Sequence, residues 1–140
     1  MTIILIIVLG VFIPILLMYL WQQAHPPFLS YHMDGTVTNE INYTQPLHRE
    51  DGPALIIGRY RKEYWVRGEQ HNLDGPAVVN YGIGGDEQYY VRNVEIKKKT
   101  FLKIRYCSRQ QIAIYLVSPR KEIRELAEHR LKELYENYHT

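Results

Sequence analysis

A seven-residue phrase occurs twice in this chain and sets the period of whatever its middle third folds into. His48-Arg49-Glu50-Asp51-Gly52-Pro53-Ala54 returns as His71-Asn72-Leu73-Asp74-Gly75-Pro76-Ala77, 23 residues later. A fixed period of this length is the signature of a repeat array, in which each unit buries its apolar face against the next unit. Within the phrase, Asp51 and Asp74 are expected to bond back to their own backbone and Gly52 and Gly75 to supply positive φ. Pro53 and Pro76 fix φ and donate nothing, so the phrase ends one strand and begins another. Ala54-Leu55-Ile56-Ile57 and Ala77-Val78-Val79-Asn80-Tyr81 then read as outgoing strands. Glu63-Tyr64-Trp65-Val66-Arg67 and Gln88-Tyr89-Tyr90-Val91-Arg92 read as the returns, offset by 25 because Gly82-Ile83-Gly84-Gly85 lengthens the second hairpin tip.

A degenerate lead-in precedes the array. Asp34-Gly35-Thr36-Val37 is expected to start a strand, and Ile41-Asn42-Tyr43 to take the place that Tyr64-Trp65-Val66 holds before His71. The sequence Trp65-Val66-Arg67-Gly68-Glu69-Gln70-His71, followed by Asp74-Gly75, resembles the aromatic-x-x-Gly-x-x-His turn of MORN repeats. It is most similar to the variant with a His-x-x-Asp-Gly-Pro-Ala signature, found in proteins of large DNA viruses and in some phage and bacterial proteins. The resemblance covers Asp34 to Ile96 and implies a twisted antiparallel hairpin sheet with a scaffolding role. Asn93 stands where the first copy has Gly68, and Ile96 where it has His71, so the array is expected to decay there and to be closed by a cap.

Around the array the chain changes character. Ile3 to Trp21 carries no charge, and as helix it would span about 28 Å against a hydrocarbon core of roughly 30 Å. This predicts a transmembrane anchor over 1–22, with Tyr19 and Trp21 at an interface, followed by an extended spacer over 23–33 that includes His25-Pro26-Pro27-Phe28. A cleaved signal peptide fits less well, since no Lys or Arg precedes the run. The repeat sheet is then assigned to 34–96, and a basic segment with C-terminal helices to 97–140. The expected fold class is α+β: an N-terminal transmembrane helix, a small antiparallel MORN-like sheet and a helical cap.

Charge is segregated. Asp34 to Glu95 holds ten acids and six bases, whereas Ile96 to Lys121 holds eight cations and no acid. Lys97, Lys98, Lys99, Lys103, Arg105 and Arg109, interleaved with Phe101, Tyr106 and Tyr115, are candidate contacts for anionic lipid or nucleic acid. The alternative is a solvated helical face whose counter-charges lie on the acidic sheet. Ser108-Arg109-Gln110-Gln111 has capping-box spacing. Ser118 and Pro119 are expected to open a further helix, with Ile123, Leu126, Ala127, Leu131, Leu134, Tyr135 and Tyr138 on its apolar stripe.

His48 with Asp51, and His71 with Asp74, are conceivable base-and-orienter pairs or halves of a metal site. Their repetition argues for the turn instead: a catalytic constellation is needed once, a turn in every unit. His48, Asp51, Gly52, Pro53, His71, Asp74, Gly75 and Pro76 are therefore assigned to the repeat turn, with no catalytic residue, metal, cofactor or small-molecule substrate expected. The single cysteine, Cys107, reads as a packed small hydrophobe. The combined expectation is a single-pass membrane protein, in a viral or host-derived membrane if the source is viral, that docks a protein partner. The runner-up is a basic module binding anionic lipid or nucleic acid through residues 96–121.

Overall fold

The period in the sequence becomes a stack of bent hairpins. The computed structural model of the chain describes residues 13–18, 20, 28–39 and 45–137. The strands are β1 (Phe28–Tyr31), β2 (Val37–Thr38), β3 (Leu55–Ile57), β4 (Arg61–Glu63), β5 (Trp65–Val66), β6 (Glu69–Gln70), β7 (Val78–Asn80), β8 (Glu87–Gln88), β9 (Tyr90–Val91) and β10 (Val94–Glu95). They are followed by helices α1 (Lys98–Arg105), α2 (Arg109–Leu116) and α3 (Lys121–Glu136).

Six strands form one antiparallel sheet in the order β2-β1-β3-β4-β7-β8. Its register places Ser30, Leu55, Glu63, Val78 and Gln88 in one cross-strand row, the first four of them buried. The neighbouring row, Leu29, Ile56, Lys62, Val79 and Glu87, faces the other way and contains no buried residue. Because side chains alternate along a strand, a one-residue slip would exchange these rows, and the difference in burial fixes the register.

Beyond the sheet, each return strand bends at a tyrosine and closes a second, smaller hairpin: β5 with β6, and β9 with β10. The links are Arg67-Gly68 (φ 54° and 77°) and Arg92-Asn93 (φ 51° and 62°). Positive φ at both central residues marks the type I′ turn, whose twist matches that of the flanking strands. The expected decay at Asn93 is thus corrected: asparagine tolerates the left-handed region, so the last hairpin is complete. Each phrase then stacks on the hairpin that follows it through equivalent bonds. Gly68 N–H donates to Leu47 O (2.8 Å) and Asn93 N–H to Gln70 O (2.9 Å), while Arg49 N–H donates to Trp65 O (2.9 Å) and Asn72 N–H to Tyr90 O (3.1 Å).

The same bonds reveal three units. The N–H groups of His48, His71 and Ile96 donate to the carbonyls of Tyr31 (3.0 Å), Tyr64 (3.1 Å) and Tyr89 (2.8 Å). Tyr31, Tyr64 and Tyr89 are therefore structural equivalents. β1 and the His32–Leu47 bridge form the first unit, in which residues 34–45 replace the two-residue turn of the others. The place expected for Ile41-Asn42-Tyr43 is filled by Tyr31-His32-Met33, and residues 41–43 themselves lie outside the described residues.

The helices close the array. Tyr89, Val91 and Ile96 of the last unit share a core with Phe101 and Ile104 of α1, Ile112 of α2, and Ile123, Leu126 and Ala127 of α3. A second cluster, Leu47, Ala54 and Leu55 with Phe28, Tyr31, Ile57 and Trp65, joins the first two units. Ile96 occupies the position of His48 and His71, but is buried against the helices where those residues meet a following hairpin. α2 starts as expected, with Gln111 Oε1 accepting from Ser108 N–H at 3.0 Å. α3 begins three residues after Ser118, whose Oγ accepts from Arg120 N–H at 3.3 Å in the preceding turn.

The α+β class with an antiparallel sheet and C-terminal helices stands, but its membrane element is corrected. Among the described residues no helix is long and apolar enough to cross a membrane, which overturns the transmembrane helix expected over 1–22 and the single-pass placement drawn from it. A span requires about 20 continuous helical residues, and within that segment the described helical residues are 13–18 and 20. Absence of charge describes composition and does not by itself specify a helix. The remainder of the leader, and residues 23–27 of the spacer, lie outside the described residues.

Candidate functional site

The repeated residues themselves make the joints between units. His48 Nδ1 accepts from Arg67 N–H (3.1 Å) and His71 Nδ1 from Arg92 N–H (3.3 Å), so each imidazole receives the first N–H of the next unit's type I′ turn. Such an acceptor must be unprotonated, and burial, the largest influence, holds the His71 pKa below its usual value. Neither histidine is bonded to the aspartate of its own phrase among the described residues.

The aspartates and glycines act differently from expectation. Asp51 accepts from Arg49 Nε at 2.7 Å, and this contact holds its carboxyl below the ordinary carboxylate range. Asp74 pairs with His129 Nε2 at 2.9 Å. The turn in the second phrase is instead made by Asn72, whose Oδ1 accepts from Asp74 N–H (3.0 Å) and whose Nδ2 donates to Pro76 O (3.0 Å). Gly52 and Gly75 do not use positive φ. A Cβ on Gly52 would lie 3.2 Å from the Arg49 guanidinium carbon, a tight contact with the end of that side chain. Pro53 and Pro76 sit beside these glycines and line the same cleft.

That cleft is a trough running between successive phrases. Its main basin, about 590 Å³, has Tyr64, Val79, Pro53 and Pro76 as its less polar wall and Glu50, Asp51, Asn72 and Asp74 on its rim. It continues past Tyr64, Asn72 and Asp74 into a section lined by Val66, His71 and His129, and then by Arg67, Glu69 and Arg92. The Glu50 side chain is 74% exposed, with His48 Nε2 at 3.9 Å. Asp74 is 66% exposed.

One constellation escapes sequence reading. Asp74, His129 and Glu133 bring three ligand-type atoms within 4.8 Å of one another, across a separation of 55 residues between Asp74 and His129. Only the His129/Glu133 spacing, one helical turn, was present as a signal. Arg105 contacts both Glu133 and Asp74 (3.7 Å to the latter), and Arg130 lies 3.1 Å from Glu133. Glu133 Oε2 is taken by Arg105 and Arg130, and Asp74 Oδ1 by His129 and Arg105, so the ligand atoms a metal ion would need are already paired and the cluster works as an ion-pair clasp tying the second phrase to α1 and α3. Partly exposed, it contributes on the order of 1 kcal/mol.

The candidate anion-binding cations are dispersed. Lys98 pairs with Glu87 at 2.6 Å, Arg105 is part of the clasp, and Arg109 stacks over the Tyr135 ring at 4.0 Å. Lys97, Lys99 and Lys103 are exposed and form no ion pair among the described residues. Cys107 is buried, its thiol donates to Ile104 O at 3.0 Å, and burial pushes its pKa up, as suits a packed residue. No protein-family model, curated protein or solved structure matches this chain.

Proposed function

We propose that this protein is a non-catalytic docking module with MORN-like repeats, and that it holds an extended segment of a partner protein in the trough between its phrases. One observation carries the reading. The repeated histidines are engaged in joining units, while the charged rim of the trough, Glu50 above all, remains exposed beside an open and less polar wall. Recurrent side chains spent on joints leave a surface rather than a reaction centre, and a shallow elongated channel suits a peptide better than a compact metabolite.

The test is site-specific photocrosslinking in the full chain. A benzoylphenylalanine at Val66, which lines two sections of the trough, is expected to yield a discrete adduct that Glu50→Arg removes. The same probe at Ile114, exposed on α2, is expected to yield none. Equal adducts from both positions, or adducts at Val66 indifferent to Glu50→Arg, would refute the reading.

A further inference from the structure

The three equivalent tyrosines are treated unequally. Over Tyr31 lies the Arg49 guanidinium, 4.2 Å from the ring centroid and held by Asp51 at 2.7 Å. Over Tyr89 lies Lys98 Nζ, 6.0 Å from the centroid and held by Glu87 at 2.6 Å. Each of these rings thus carries a cation fixed by a nearby carboxylate. Over Tyr64 there is none among the described residues, and all 17 Lys and Arg of the chain fall among those residues.

The phrases differ at two positions, Arg49 against Asn72 and Glu50 against Leu73, and the first accounts for the missing cation. Asn72 stands where the first phrase has Arg49, while the other parts of the seat are kept: Tyr64 for Tyr31, Asp74 for Asp51 and Gly75 for Gly52. The surface over the glycine is also kept. A Cβ on Gly52 would be 3.2 Å from the resident guanidinium, whereas a Cβ on Gly75 would meet only Asn72 Nδ2, at 3.8 Å. Tyr64, Asn72, Asp74 and Gly75 all line the trough's main basin, with Glu50 on the facing phrase. Asp74 uses Oδ1 for His129 and Arg105, and its Oδ2 has no partner among the described residues.

We infer that the second unit is a seat for an arginine supplied from outside, its guanidinium lying on Tyr64 and bonded to Asp74 and Glu50 as Arg49 lies on Tyr31 and bonds Asp51. The occupant is an arginine-bearing extended segment of a partner protein; this rests on the docking reading above and gives it a chemistry. Arginine is favoured over lysine because a planar guanidinium stacks on a ring and presents paired donors to a carboxylate, while an ammonium does so as a point charge. The chain's own first unit is the template for the geometry.

The experiment titrates the isotopically labelled full chain, followed by amide NMR, with the peptide acetyl-Gly-Ser-Arg-Ser-Gly-amide and with its citrulline and lysine counterparts. Shifts are expected at Tyr64, Asn72 and Gly75. Citrulline, which keeps the shape and loses the charge, should bind about tenfold more weakly, since one charge-assisted contact is worth about that factor. Asp74→Asn should weaken the arginine peptide several-fold. Asn72→Arg should abolish binding by filling the seat from within; the first phrase shows that the turn accommodates arginine at this position. Citrulline binding as well as arginine, or undiminished binding to a folded Asn72→Arg chain, would overturn the inference. If these arms fail while the Val66 adduct persists, docking stands and only the arginine chemistry falls; if the adduct also fails, both fall.

Discussion

The type I′ turn at Arg92-Asn93 gives the sharpest test of how the repeats hold together. Asn93 has φ of 62° and its Oδ1 accepts from Gln70 N–H at 2.7 Å, joining the third unit to the second. Asn93→Ala removes that acceptor, at about 0.5–1.5 kcal/mol, and places a residue with no local polar compensation in the left-handed region, at about 1–2 kcal/mol. The expected loss is therefore about 1.5–3.5 kcal/mol. Asn93→Gly relieves the backbone, loses the acceptor and adds about 0.4–1 kcal/mol through a freer unfolded chain, so it should fall between alanine and the native residue. Asn93→Asp keeps both features and should stay within about 0.5 kcal/mol. Urea unfolding of the four chains, analysed with a common slope of about 1–3 kcal/mol per molar, should give midpoints in the order Asn and Asp, then Gly, then Ala. Alanine no worse than glycine would show that the left-handed backbone is not what asparagine supports.

The other expectations concern joints, core and a buried acid. His71→Ala should destabilise by about 1 kcal/mol near neutral pH. Because burial depresses the His71 pKa, its stabilising contribution is complete above the unfolded value of 6.5 and is lost as pH falls through the folded value. The difference between native and variant should therefore shrink from pH 8 to pH 5 in parallel melts, and a constant difference would contradict the acceptor role. Ile96→Ala empties a site 1% exposed between the last hairpin and the helices and should cost about 2–5 kcal/mol by urea unfolding; a cost below this range would mean the cap is held by other contacts. Glu63, buried in the sheet, accepts from Arg61 Nε (2.6 Å) and Trp65 Nε1 (2.9 Å). Glu63→Ala should cost about 1–3 kcal/mol and red-shift tryptophan emission, while an unchanged spectrum would separate Trp65 from this carboxylate.

How much of this was legible depended on whether the determining contact was local. The outgoing strands follow from apolar runs placed directly after the Gly-Pro turn, and the Gly68 turn from the aromatic-x-x-Gly-x-x-His pattern. The first unit departs from the period because β2 and further residues stand in the chain between Met33 and Pro46, so Ile41-Asn42-Tyr43 aligns by counting where Tyr31-His32-Met33 aligns by bonding. Gly52 and Gly75 read as positive-φ positions by residue type, whereas neither uses that region of backbone space. Asp74 meets His129 across the fold, a partner that neither phrase announces. The difference between Arg49 and Asn72 is visible in the sequence, whereas the equivalence of Tyr31 and Tyr64 that gives it a place in the fold lies in backbone bonds.

Ile96 carries a consequence for the growth of such chains. The helices recognise the apolar side chain at the end of the last hairpin and the face beside it, and they have no means of sensing how many hairpins precede it. Copy number and termination are therefore separate characters. Duplication of the segment from His71 to Glu95 would add one unit through a single new junction, Glu95 to His71, equivalent to the native step from Gln70 to His71, whereas exchanging Ile96 for histidine would remove the apolar side chain on which the helices close. A lineage built on this plan can lengthen its binding face by recombination while retaining a single terminator.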